Sequence, residues 1–209
     1  LQSLMPAVVR ISCVISAQRG TTAIGSGTVI PSCDGYTVLT NGHVISSNFR
    51  RQEPLCYVFF PLPPTYAIGD IFYETTSLGS TYGNTNQPDV GLLKLGKPSD
   101  SSKTLASVPS TNIQGCNDVD VQIGDKVTVF GYPSFGGKSL TVTDGIVSGV
   151  DPGPIYKTSA KIDQGNSGGI AVLNKKRCML GIPTWLSSGT LEGLGYIQSW
   201  TVISSVLKN

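Results

Sequence analysis

Gly165-Asn166-Ser167-Gly168-Gly169 is the stretch on which the reading of this chain turns. A nucleophilic serine needs an accessible hydroxyl on a tight turn, with backbone N–H groups free to hold an oxyanion. Glycines on both sides permit unusual backbone angles and the close approach of a second molecule. The same five residues also read as a glycine-rich hairpin turn. They match, too, the G-x-S-x-G elbow in which a strand delivers a serine to a helix. The order of partners along the chain separates these readings. A serine nucleophile needs a general base, and the 209 residues contain one histidine, His43, which precedes the serine. The elbow places its acid and histidine after the serine, so here it has no base. An order of acid, histidine, serine would need its acid before His43. The acidic residue available there is Asp34, in the turn-like Cys33-Asp34-Gly35.

His43 sits in Thr40-Asn41-Gly42-His43-Val44, at the end of an expected strand Tyr36–Asn41. A strand end is a rigid mount for a base that must still reach its nucleophile. A lone histidine is usually structural, but beside a candidate nucleophile that expectation reverses. The third motif is Gln87-Pro88-Asp89-Val90-Gly91-Leu92-Leu93-Lys94-Leu95, where an acid opens an apolar strand. By itself it reads equally as a polar strand cap. Buried beside an imidazole, such a carboxylate fixes the tautomer and stabilises the imidazolium. The chain order is then His43, Asp89, Ser167, with Ser167 attacking, His43 as base and Asp89 orienting it.

Around these motifs run short β-branched or aromatic segments bounded by Gly, Pro, Asn or Asp. Strands are expected near Ala7–Ser16, Ile24–Ile30, Tyr36–Asn41, Leu55–Pro61, Ile71–Glu74 and Val90–Leu95. A second set is expected near Lys126–Tyr132, Leu140–Val150, Ile155–Ala160, Gly169–Leu173, Cys178–Trp185 and Leu194–Gln198. The fold class is therefore all-β: two antiparallel six-stranded barrels with the site in the cleft between them. The expected division is 1–98 for the barrel with His43 and Asp89, 99–112 as an aperiodic linker, and 113–209 for the barrel with Ser167. Thr201–Leu207 places Val202, Ile203 and Val206 on one helical face, which suggests a short terminal helix, with strand as the rival reading.

Composition narrows the function classes. Charged residues are 13% of the chain and the net charge is +2. The basic residues are scattered, the longest run being Lys175-Lys176-Arg177, so a nucleic-acid partner is not expected. No apolar run approaches the ~20 residues of a membrane-spanning helix. Leu1 opens a segment without the basic start of a signal peptide. The cysteines at 13, 33, 56, 116 and 178 form no C-x-x-C pair, so a metal site is not expected. Their odd number leaves at least one outside any intrachain bridge, and the redox compartment open.

Taken together the three motifs resemble those of trypsin-like serine proteases, most closely the bacterial HtrA (Deg) branch. Thr40–Val44 is similar to that branch's T-N-x-H-V, and Asp89–Leu95 to its D-[IVL]-A-[VL]-L-K-[IL], with Gly91 in place of Ala. Asp144–Ser148 resembles T-x-G-I-[VI]-S. Thr158–Gly169 resembles T-D-A-x-I-N-x-G-N-S-G-G, with Ser159 for Asp and Asp163 for Asn. Gly181–Thr184 resembles G-I-N-T, with Pro183 for Asn. The branch usually carries a C-terminal PDZ domain, which is not expected of this sequence ending at Asn209, and the Pro-rich and polar loops Pro61–Pro64 and Ser77–Pro88 also differ from its pattern.

The resemblance implies a serine endopeptidase that acts on peptide or protein substrates through an acyl-enzyme, without metal or organic cofactor. It implies an oxyanion hole from the N–H groups of Gly165 and Ser167. Lys161, Ile162, Asp163 and Gln164 would wall the substrate pocket, and Pro183, Thr184 and Trp185 would form the edge facing the substrate backbone. Lys161 stands where the trypsin class has the Asp that binds basic side chains, so a small-to-medium aliphatic P1 residue is expected, with an acidic P1 paired with Lys161 as the rival. Asn166 replaces the Asp that pairs with a new N-terminus in zymogens, so activation by such cleavage is not expected; mobility of the loop Tyr132–Ser139 would be the alternative control. A secreted or cell-envelope location and a monomer are the expected setting. Two other readings stay open: a viral or phage polyprotein-processing protease of the same fold, and a pseudoprotease that only binds.

Overall fold

Residues 55–62 show how the pattern becomes structure. Cys56, Val58 and Phe60 are buried, while Tyr57 and Phe59 between them are half-buried. That period of two is the signature of a strand with one face on a core. The chain's computed structural model describes residues 1–16, 21–46, 55–81, 88–101, 107–134, 138–153, 155–184 and 194–207.

Six strands, β1 Val8–Ser16, β2 Thr21–Ser32, β3 Gly35–Thr40, β4 Leu55–Leu62, β5 Ala67–Thr81 and β6 Val90–Pro98, close into one antiparallel barrel ordered β1-β2-β3-β6-β5-β4. Six more, β7 Lys126–Gly131, β8 Thr141–Asp151, β9 Ile155–Thr158, β10 Ile170–Leu173, β11 Cys178–Thr184 and β12 Gly195–Ser199, close a second barrel ordered β10-β11-β12-β9-β8-β7. Closure pairs the strand edges that an open sheet would leave exposed. Among the described residues two helices accompany the barrels, α1 Gly42–Ile45 and α2 Trp200–Leu207, with 3-10 turns at Gln2–Ala7 and Asp118–Asp120. The two six-stranded barrels and the terminal helix are those the pattern predicts.

The differences are local. β5 runs far beyond the expected Ile71–Glu74, because Ser77–Thr81 pairs with Leu93–Val90 of β6. Its Ser, Thr and Gly residues carry no apolar alternation and so read as loop. Pro61 and Leu62 complete β4, leaving Pro63–Tyr66 as the turn. His43 lies in the one-turn helix α1 just past β3, not on the strand end itself. Trp185 and Gly136-Gly137 lie outside the described residues.

Three apolar clusters hold the molecule. One fills the first barrel around Val9, Ile11, Val29, Val38, Val58 and Leu93. One fills the second around Val127, Val147, Tyr156, Leu173, Leu180 and Ile197. The third joins Leu4, Val8, Leu39 and Val90 to Phe130, Tyr132, Ile170, Ile182 and Ile203, so the barrels share a core. Each such buried side chain contributes about 1.5–3 kcal/mol, which fixes the cleft between the barrels as firmly as either interior. Tyr132 is buried there with its phenol donating to the Val8 carbonyl oxygen at 3.3 Å, and desolvation pushes the phenol's pKa upward. Disulfides join Cys13 to Cys56 across β1 and β4, and Cys116 to Cys178 of β11. The fifth cysteine, Cys33, is exposed and outside both bridges.

Candidate active site

Helix α1 brings the histidine against the acid. Its first turn leaves backbone N–H groups without intrahelical partners. The Asp89 carboxylate, at the mouth of β6, takes one of them: the His43 N–H donates to Asp89 Oδ1 at 2.9 Å. The other carboxylate oxygen, Oδ2, lies 2.6 Å from His43 Nδ1. One carboxylate thus fixes both the main chain and the ring of the same residue. Gly42 makes this possible. A Cβ there would press on the Thr81 and Val90 carbonyl oxygens, and α1 would be lifted off Asp89.

Asp89 is in turn held from both barrels. Asn41 Nδ2 donates to the Asp89 carbonyl oxygen at 2.9 Å. From β12, Gln198 Oε1 accepts the Asp89 N–H at 2.8 Å. From β11, the Thr184 hydroxyl reaches Asp89 Oδ2 at 3.4 Å. Gln198 and Thr184 are both buried, so these contacts are sheltered from competing water. Neither Asn41 nor Gln198 carries a role in the sequence reading. The available signal for Gln198 is a polar residue on the otherwise apolar strand Gly195–Ser199, which is weak. Thr184, expected on the edge facing substrate, turns its hydroxyl toward the acid.

The serine arrives from the second barrel on a turn that only glycine can build. Gly165 has φ +93° and Gly168 has φ +86°, both in the left-handed region. At Gly168 a Cβ would also overlap the Thr40 hydroxyl and the Ser26 carbonyl oxygen. Gly168→Ala is expected to destabilise the fold by at least about 2 kcal/mol from backbone strain alone. That is a fall of roughly 4–8 °C in Tm for a chain of this size. A thermal melt within 1 °C of the parent would contradict this packing.

His43, Ser167, Gly165 and Gln164 line one cavity of about 300 Å³, completed by Ser134 and by Thr22, Ala23 and Ile24 of β2. The Ser134 N–H donates to the Gln164 carbonyl oxygen at 2.7 Å. In a trans peptide the N–H points opposite to the C=O, so the Gly165 N–H is turned away from Ser134. Among the described residues, neither the Gly165 nor the Ser167 N–H has a protein acceptor.

Residues 25–182 match the family model of the trypsin-like peptidase domain. The chain belongs to that family. It is 29% identical over 184 residues to a probable periplasmic serine endoprotease, DegP-like, of Buchnera aphidicola subsp. Baizongia pistaciae, covering 83% of this chain and 33% of that protein. It is 29% identical over 199 residues to the serine endoprotease DegS of Haemophilus influenzae, covering 88% of this chain and 49% of that protein. The crystal structure of the serine endoprotease from Yersinia pestis superposes with a TM-score of 0.69 at 29% identity, over 99% of this chain and 63% of that one. The chain therefore spans about a third to a half of these two curated relatives.

The wall residues expected from the trypsin-like resemblance fall into distinct places. Lys161 is exposed, and its carbonyl oxygen accepts from the Thr143 hydroxyl at 2.9 Å. Ile162 is half-buried on the second-barrel core. It lies directly on Gly195, where a Cβ would come within 2.6 Å of Ile162 Cδ1. Asp163 and Gln164 are exposed, with the Gln164 N–H donating to Asp163 Oδ1 at 2.7 Å. The Pro183 carbonyl oxygen accepts the Gly168 N–H at 3.1 Å, tying β11 to the turn that carries Ser167. Among the described residues no cluster of His, Cys, Asp and Glu could hold a metal ion.

Proposed function

We propose that this chain is a serine endopeptidase whose triad is His43, Asp89 and Ser167, with the N–H groups of Gly165 and Ser167 as oxyanion hole. One observation carries the reading: His43, clamped by Asp89 at Nδ1, shares a cavity wall with Ser167 and Gly165. The carboxylate accepts the proton on Nδ1, which leaves the Nε2 lone pair to act as base. Ser167 Oγ attacks the scissile carbonyl carbon, and His43 takes the hydroxyl proton. The tetrahedral oxyanion is held by the two N–H groups. The intermediate collapses as His43 returns the proton to the leaving amine. Water then hydrolyses the acyl-enzyme by the same steps in reverse roles.

The substrate is a peptide or protein with an uncharged, small-to-medium aliphatic P1 side chain. Ile162 packed on Gly195 supports this by drying and narrowing the wall beside the nucleophile. The exposure of Lys161 argues against an acidic P1 paired with its ammonium group. The two disulfides support an oxidising setting, secreted or in the cell envelope, as does the periplasmic relative.

A peptide library varied at P1 tests the reading. Cleavage is expected after Val, Ala and similar residues and is expected to vanish in Ser167→Ala. In Ile162→Ala, the preference should move toward larger apolar P1 residues by about 10–200-fold in relative kcat/KM, the range for a gain or loss of a methylene-sized contact. Glu or Asp on top would overturn the pocket assignment. Arg or Lys on top would overturn the placing of Lys161. Cleavage that persists in Ser167→Ala would overturn the nucleophile.

A further inference from the structure

Ser26 lies on β2 of the first barrel and is fully buried, at 0% exposure. Its hydroxyl donates to the Gly165 carbonyl oxygen at 2.6 Å and accepts the Tyr132 N–H at 2.8 Å. Its own N–H donates to the Ser167 carbonyl oxygen at 2.8 Å. Its carbonyl oxygen accepts from the Thr40 hydroxyl at 2.7 Å. Every one of these partners stands in, or next to, the segments that carry His43 and Ser167.

We propose that Ser26 is a positioning residue that sets the oxyanion hole from the opposite barrel. The proposal rests on the reading of Ser167 as nucleophile. Packing alone would accept alanine in this strand. What demands a hydroxyl is the pair of main-chain groups it meets. The Gly165 carbonyl needs a donor and the Tyr132 N–H needs an acceptor, and a buried main-chain group left unpaired is costly. A hydroxyl supplies both from one atom.

The consequence falls on the orientation of Gly165. Two peptide planes meet at its Cα. The plane before it is held by Ser134, through the Gln164 carbonyl oxygen. The plane after it is held by Ser26, through the Gly165 carbonyl oxygen, and by the Asn166 N–H donating to the Asp163 carbonyl oxygen at 3.0 Å. With both planes pinned, the Gly165 N–H keeps one direction. Glycine at φ +93° would otherwise turn easily. A donor fixed before charge develops needs no reorganisation during reaction, the condition under which such donors act most strongly.

The test is steady-state kinetics of Ser26→Ala, with active sites counted by fluorophosphonate labelling carried to completion. The expected result is a fall in kcat of about 100-fold per active site, the usual effect of losing one oxyanion donor, with KM within about threefold. The affinity of a peptide aldehyde, which forms the tetrahedral adduct, should fall in step with kcat/KM. The affinity of the matching product peptide should not change. Ser26→Cys keeps a weak donor and acceptor and should give an intermediate loss; it also serves if Ser26→Ala does not fold.

A lowered Tm with unchanged kcat per active site would overturn the proposal, because it marks a merely structural hydroxyl. So would a rise in KM alone. An inert Ser167→Ala beside a fully active Ser26→Ala refutes this inference and leaves the nucleophile standing. An active Ser167→Ala refutes both.

Discussion

His43→Ala is expected to lower kcat by about four to six orders of magnitude, with the fold intact. The ring is 29% exposed, and the main-chain bond from the His43 N–H to Asp89 does not need it, so its loss should cost little stability. Its chemical loss is large. Without Nε2 the Ser167 hydroxyl has no base, and the leaving amine has no acid. What would survive is the proposed hole of Gly165 and Ser167, which by itself would hold the oxyanion but move no proton. Asp89→Asn should cost about 10⁴-fold by a different route. An amide nitrogen facing Nδ1 favours the wrong tautomer and puts the proton on Nε2. kcat measured against active-site concentration, with near-UV circular dichroism as a check on folding, decides both. Either variant keeping more than about a tenth of parental kcat would contradict the assigned roles.

Removing the Cys116–Cys178 bridge by the paired change to serine should have the largest effect on stability. The bridge closes 62 residues, for which the chain-entropy estimate is about 4 kcal/mol. For a chain of this size that corresponds to a fall in Tm of roughly 8–16 °C. The bridge is backed by two main-chain hydrogen bonds, from the Cys116 N–H to the Met179 carbonyl oxygen at 2.9 Å and from the Met179 N–H to the Gln114 carbonyl oxygen at 2.8 Å. These keep the register of β11 when the sulfurs are gone. kcat at 25 °C should therefore stay within about threefold of the parent while thermal resistance falls, since β11 still presents Thr184 to Asp89. A Tm shift under 2 °C would contradict the chain-entropy estimate for this bridge.

The barrels were readable because most strands are short apolar, β-branched or aromatic runs bounded by turn residues, as Leu55–Leu62 is. β5 was readable only at Ile71–Glu74, since the Thr, Ser and Gly of its second half pair by main chain and carry no pattern. The order of His43, Asp89 and Ser167 pointed to two halves meeting at a cleft, and the His43–Asp89 contact is present. The supports of that contact were not legible. Gln198 is 109 residues from Asp89, and Ser26 is 139 residues from Gly165. A single buried polar residue in a strand says that a partner exists, never which one. The cysteines behaved the same way: their odd number required one outside a bridge, but only the fold selects Cys33. Thr184, expected on the edge facing the substrate backbone, also turns its hydroxyl to Asp89, a contact that sequence spacing does not signal.

The most direct test of the account is fluorophosphonate labelling of the native chain, read by intact mass and peptide mass spectrometry. The reagent phosphonylates a serine only where a base and an oxyanion hole activate it. The account predicts a single adduct on Ser167, absent in Ser167→Ala and slowed by orders of magnitude in His43→Ala. An adduct elsewhere, equal labelling of the His43 variant, or no labelling of a folded native chain would contradict it.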